Sequence, residues 1–127
     1  MRVIVTGATS FIGSHAVQTL INQGFEVCAL IRPNSAGKKN LEQMIIKKEL
    51  LEITECELSG LKELAVNAEK LSKIGQKWSH DLGRADYWLH LGWDGSGSDN
   101  RKLADIQSMN AVYALDALEP AAAAHCK

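Results

Sequence analysis

Between Thr6 and Gly13 the chain reads TGATSFIG, and what flanks this short run constrains the fold more than any other feature of the sequence. On its N-terminal side Arg2 to Thr6 (RVIVT) is a β-branched apolar run, of the kind that forms a strand buried on both faces of a parallel sheet. On its C-terminal side Ile12, Ala16, Val17, Leu20 and Ile21 fall at helical steps, and Gly24 stands where a left-handed cap closes a helix. A strand, a tight glycine turn and a helix are therefore expected in immediate succession. Such a turn sets the unpaired amides and partial positive charge of a helix N-terminus at the carboxyl end of a strand, and its glycines allow close backbone approach. The position of the turn gives it weight as an anion site; the same glycines elsewhere would mean little.

The rest of the chain continues the alternation. Phe25 to Ile31 (FEVCALI) reads as a second strand, ended by the turn chemistry of Arg32-Pro33-Asn34-Ser35. A helix is expected from about Lys39 to Leu51 with Leu41, Met44 and Ile45 on one side, then a third strand over Leu51 to Leu58. Ser59 is placed to cap a third helix bearing Leu61, Leu64, Ala65, Ala68, Leu71 and Ile74. After an irregular polar stretch from Gln76 to Arg84, Ala85 to Leu91 reads as a fourth strand and Gly92 to Asp99 as a loop. A last long helix carries Leu103, Ile106, Asn110, Tyr113, Ala114 and Ala117 along one face until Pro120 ends or kinks it, and the tail beyond is weakly specified. Strands alternating with helices imply right-handed crossovers and an α/β parallel sheet. The usual order of a nucleotide-binding half is 3-2-1-4, with the fourth strand left at an edge.

Composition narrows the function classes. With 127 residues, 46% of them apolar, residues 1–127 are read as one folding unit. Fourteen basic and fifteen acidic residues give a net charge of -1, so no broad attraction to nucleic acid or an anionic membrane is expected, and any anion site must be local. The start MRVIVTGATS is too short and too weakly basic for a signal peptide or spanning helix, which makes a cytoplasmic protein the default. Cys28, Cys56 and Cys126 form no C-x-x-C pair, and His15, His80, His90 and His125 show no ligand spacing, so neither a disulfide framework nor a metal site is expected.

The turn resembles the TGxxGxxG fingerprint of the extended short-chain dehydrogenase/reductase family, the NAD(P)-dependent sugar-nucleotide epimerases, dehydratases and reductases. Gly7 and Gly13 match its first and third glycines, and Ser10 replaces the middle one. The resemblance implies a Rossmann-type sheet with flanking helices, here cut short after about four strands, and a dinucleotide whose pyrophosphate rests on Gly7, Thr9, Ser10, Phe11, Ile12 and Gly13. In NAD-using members an acidic residue ends the second strand; Arg32 stands there instead, which resembles the NADP(H)-preferring reductases because a guanidinium pairs with a 2′-phosphate. Lys38 and Lys39 would add charge. NADP is thus favoured over NAD as cofactor. Glu57 and Leu58 resemble the acidic-apolar pair beside the adenine, and His90-Leu91-Gly92-Trp93 resembles the segment that lines the ribose and nicotinamide side, with Leu91, Gly92 and Trp93 the expected contacts. His90 itself reads as a packed or hydrogen-bonded strand histidine and not a catalyst, because no nucleophile or carboxylate is placed to work with it. Asn110 aligns with a helix Asn that approaches the cofactor in the family, and equally suits an Asn bonded to nearby backbone.

The family's catalytic Tyr-x-x-x-Lys pair has no counterpart: Tyr87 is followed four residues on by Leu91, and Tyr113 by Ala117. No catalytic residue is therefore assigned, since hydride transfer at a sugar carbinol lacks its general base. The expectation is the dinucleotide-binding portion of an epimerase, dehydratase or reductase, without the substrate lobe and without turnover of its own, a nucleotide sugar being a substrate only of a full-length form. Two other readings stay open: a non-catalytic NAD(P)-sensing or protein-interaction module, whose edge strand a homodimer would cover, and a domain that has lost binding through Ser10.

Overall fold

The computed structural model describes residues 1–67 and 84–127. Its centre is a parallel sheet of β1 (Arg2–Thr6), β2 (Glu26–Ile31), β3 (Leu51–Glu55) and β4 (Tyr87–His90), in the order β3-β2-β1-β4. Helices α1 (Phe11–Asn22), α2 (Lys38–Met44), α3 (Leu61–Val66), α4 (Ala104–Asp116) and α5 (Leu118–Ala123) flank it. The α/β class, the parallel sense and the strand order are those expected from the sequence.

Alternation along the strands builds two cores. Val3, Val5, Val27, Ala29 and Ile31 point to one face, against Val17 and Ile21 of α1 and Leu41 of α2. Ile4, Cys28 and Leu30 point to the other, against Leu61 and Leu64 of α3 and Ala117 and Ala124 near α5. Helices on both faces explain why β1 and β2, past the paired Arg2 and Glu26 at their starts, run as continuous apolar residues over Val3 to Val5 and Val27 to Ile31 rather than alternating with polar ones. Register pairs Thr6 with Leu30 and with His90, so β1, β2 and β4 finish side by side and the loops after them share one end of the sheet.

Several boundaries differ from the sequence expectation, each for a visible reason. The second helix stops at Met44 instead of Leu51, because Ile45 leaves the helix in an extended conformation (φ -92°, ψ 119°) and buries its side chain in the core. The third strand stops at Glu55; beyond it Leu58 enters a short 3-10 turn (Leu58–Gly60) that tucks its side chain inward. Ser59 lies inside that turn, and α3 begins from Gly60 with no side-chain cap. Ala68, Leu71 and Ile74 of the expected third helix lie outside the described residues.

In α1 the buried residues are Gly13, Ser14, Val17 and Ile21, whereas Ile12 is 68% exposed. Small residues let the helix N-terminus press on β1 and leave Ile12 at its lip. Leu103 and Ala114 are likewise exposed, and the inward face of α4 is Ile106, Asn110, Tyr113 and, just past its end, Ala117. The helical path kinks at Ala117, placing Pro120 in the first turn of α5, where its missing amide has no intrahelical partner to lose. The tail is better specified than its alanines suggest: the Ala124 carbonyl accepts from Ala85 N at 3.1 Å, the Lys127 amide donates to Asp86 O at 2.9 Å, and Ala124 is fully buried. Burial, with the Asp86 charge second, pushes the Cys126 thiol up to about 11. Among the described residues no helix is long and apolar enough to cross a membrane.

Candidate functional site

The site grows from the turn between β1 and α1. Gly7 adopts φ +69°, and a Cβ there would strike the Leu91 carbonyl oxygen and lie 2.7 Å from the Gly92 amide nitrogen. Only glycine meets both demands. A Cβ on Gly13 would strike the Gly7 carbonyl oxygen, so the first turn of α1 sits directly on the β1 exit.

Ser10 is the N-cap of α1. Its Oγ accepts from the Gly13 amide at 3.0 Å and donates to the Gly7 carbonyl at 2.8 Å. The hydroxyl hydrogen is thus spent inside the turn, and Ser10 orders the two fingerprint glycines relative to each other. Ser14 N reaches Ser10 O at 2.8 Å. Helix geometry then leaves the Phe11 and Ile12 amides, at the first two helical positions, without an intrahelical acceptor. Thr9 is held from the other side: Ser35 Oγ donates to its hydroxyl at 2.9 Å, and Gly37 packs so closely that a Cβ would stand 2.7 Å from Thr9 O.

A second knot fixes the β4 exit. Thr6, 1% exposed, brings its Oγ1 to 3.1 Å from both the Leu91 and Gly92 amides and to 2.9 Å from His90 Nδ1. A hydroxyl has one hydrogen, and two amides already donate to this oxygen, so the hydrogen goes to His90 Nδ1. That assigns the proton of the neutral ring to Nε2, which is buried without a partner among the described residues. Burial holds the ring below its ordinary value of 6.5.

Asn110, 1% exposed on α4, clamps the next residues: its Oδ1 accepts from Asp94 N at 2.7 Å and its Nδ2 donates to Asp94 O at 2.9 Å. Trp93 is steadied by Gln107, whose Oε1 accepts from the indole nitrogen at 2.9 Å. The Asp94 carboxylate reaches across to Arg32, with Oδ1 3.4 Å from Nη1. Lys38 turns away to Glu55 at 3.8 Å.

These loops surround a cleft of about 540 Å³ at the carboxyl ends of β1, β2 and β4. Every site residue expected from the sequence lines it except Gly13, Glu57 and Asn110. Gly13 supports the turn from beneath, Glu57 is exposed to one side, and Asn110 acts on the cleft through the Asp94 backbone. Thr6, Ser35, Gly37 and Asp94 were not singled out from the sequence. Thr6, the first residue of the fingerprint turn, and Gly37, following a strand-ending turn, were the legible signals, whereas Asp94 is masked by the glycine-rich loop around it.

Strand order, glycine turn and cleft define a Rossmann-type α/β domain with an anion-ready helix N-terminus at its strand ends. The chain belongs to the NAD dependent epimerase/dehydratase family, whose model matches residues 3–127. It is similar to UDP-glucose-4-epimerase from Stenotrophomonas maltophila, solved with bound NAD and formylated UDP-arabinopyranose: TM-score 0.71 and 18% identity over 100% of this chain and 35% of that one. An actinorhodin polyketide ketoreductase solved with NADPH superposes with TM-score 0.65 at 17% identity, over 97% of this chain and 47% of the other. At such identities the likeness concerns the fold. The CDP-abequose synthase of Salmonella muenchen is 47% identical over 32 residues, 25% of this chain and 11% of that protein. The chain thus spans about a third of the epimerase's length and a smaller share of the synthase.

Proposed function

We propose that the cleft binds a nicotinamide dinucleotide, with its pyrophosphate over the N-terminus of α1, and that Arg32 tilts the choice toward NADP. The observation that carries this is the cradle itself: Gly7 and Gly13 stand where any Cβ would collide with backbone, and the Phe11 and Ile12 amides open at the helix start. The volume suits a pocket for a small organic ligand. Arg32 lines the cleft at the end of β2 with its side chain 63% exposed, and a guanidinium there supports the NADP reading because it can meet a 2′-phosphate in a charge-assisted fork. The group, when bound, supplies hydride chemistry; the residues on this chain bind and orient it.

These 127 residues contain no Tyr-x-x-x-Lys pair to move a proton, so we propose binding without turnover, and action on a nucleotide sugar only within a longer chain. Calorimetric titration with NADP and with NAD tests the binding: saturable heat is expected for both, with NADP the tighter. No heat from either would overturn the assignment, equal or tighter NAD binding would remove the role of Arg32, and turnover of any nucleotide sugar by these residues would overturn the non-catalytic part.

A further inference from the structure

Arg32 and Asp94 are the two charged side chains among the described residues that line the cleft, and they are bonded to each other. Arg32 follows β2 and Asp94 follows β4, strands that lie on opposite sides of β1. Their contact, 3.4 Å from Nη1 to Oδ1, therefore runs across the end of β1, over the turn that holds Gly7. The acidic end is anchored, because Asn110 grips both the amide and the carbonyl of Asp94. It is also the less exposed partner, at 35% against 63% for the arginine.

We infer that Asp94 is a specificity-determining residue: it latches Arg32 across the cleft and opposes the preference for a 2′-phosphate that Arg32 alone would confer. The inference rests on the dinucleotide reading of the cleft. A 2′-phosphate, with a charge of about -1.5 to -2, must take the guanidinium from Asp94 and then sit beside a fixed carboxylate. A ribose diol brings hydroxyl donors, which a carboxylate accepts, and asks nothing of Arg32. The same carboxylate thus penalises one cofactor and tolerates the other. The sequence conceals this, because the acidic group comes from the loop after β4 and not from the end of β2 where the family pattern places it.

A double-mutant cycle tests the latch: wild type, Asp94→Asn, Arg32→Gln and the double variant, each titrated calorimetrically with NADP and NAD at low and at high salt. Asn keeps the side-chain shape and leaves untouched the backbone that Asn110 holds. Asp94→Asn is expected to tighten NADP about two- to fivefold, the range that an exposed ion pair commands, and to change NAD less. High salt should shrink the gain. In the Arg32→Gln background the same substitution should leave the NADP to NAD ratio where Arg32→Gln put it. Binding with an unchanged ratio in Asp94→Asn, or a gain that persists without Arg32, overturns the inference alone. No heat from either dinucleotide in all four chains overturns the dinucleotide reading and the inference with it.

Discussion

Thr6 shows how much one hydroxyl can organise. Its Oγ1 gathers the Leu91 and Gly92 amides and hands its hydrogen to His90 Nδ1, tying the exit of β4 to the exit of β1. Thr6→Val keeps the branched shape and removes the oxygen, so its cost is that of stranding buried polar groups, about 1–3 kcal/mol, read as a drop in the urea midpoint at unchanged slope. His90 makes this knot sensitive to acid. Desolvation holds the folded-state value below the ordinary 6.5, so the neutral ring's contribution is complete above about pH 6.5 and is lost as pH falls through the lower folded value. Protonation would also put a hydrogen on Nδ1 against an oxygen that already receives two. Stability should therefore decline on acidification, and His90→Asn should flatten that part of the profile; a wild-type profile level through this range would refute the account. The sequence marked His90 as a packed or hydrogen-bonded strand histidine and Thr6 as the start of the glycine turn, but not that the two are partners, because the register that brings them together is set by pairing across 84 positions. Ser10 was legible as a departure from the fingerprint, but its use as a cap that bonds both glycines emerged only from the turn's geometry.

Among the elements, α4 contributes to the cleft without lining it. Its inward face carries Asn110 among Ile106, Tyr113 and Ala117, and the amide group replaces the backbone partners that the loop after β4 lacks. Asn110→Leu would fill the space and leave the Asp94 amide and carbonyl unpartnered. A loss of about 1–3 kcal/mol is expected from denaturant unfolding, with hydrogen exchange of the Asp94 amide accelerated beyond that loss while exchange of the β1 and β2 amides rises only in step with it. An Asp94 amide as slow as in the parent chain would show that the loop is held by something else. The elements that the sequence announced are those whose residues answer to one demand: β1 and β2 are buried on both faces, and Val3, Ile4, Val5 and Val27 to Ile31 read as continuous apolar runs. It was less clear where one residue answers to two. Ile45 is a plausible helix residue that the core claims instead, and Leu58, an odd number of residues from Leu51 and Ile53 and so out of phase with them, reads as the end of the third strand on paper while the second core draws it into a turn.

For the whole molecule, the order β3-β2-β1-β4 matters more than any single contact. The chain runs outward from β1 through β2 to β3 and then returns to β4 on the other side, so the loops after β1 and β4 diverge and open a crevice at the carboxyl end of the sheet. The cleft lies there, and both cores end beneath it: Leu58 and Leu61 reach it from one layer, Leu91 from the other. A ligand in that crevice bridges loops from three strands that the sheet alone holds only at their bases. Occupancy should consequently be felt by the whole fold as mass action, about 2.7 kcal/mol when free dinucleotide stands at 100 times its Kd. For a chain of this size about 4 °C accompanies each kcal/mol, which makes a rise in Tm of about 10 °C. Differential scanning fluorimetry across a concentration series gives the decisive form of the result. The shift must grow with the logarithm of ligand concentration, and at a fixed concentration it must rank NADP and NAD in the order of their calorimetric affinities. A Tm that stays fixed at every concentration would mean that the crevice built by this strand order does not take the ligand its glycine turn is shaped for.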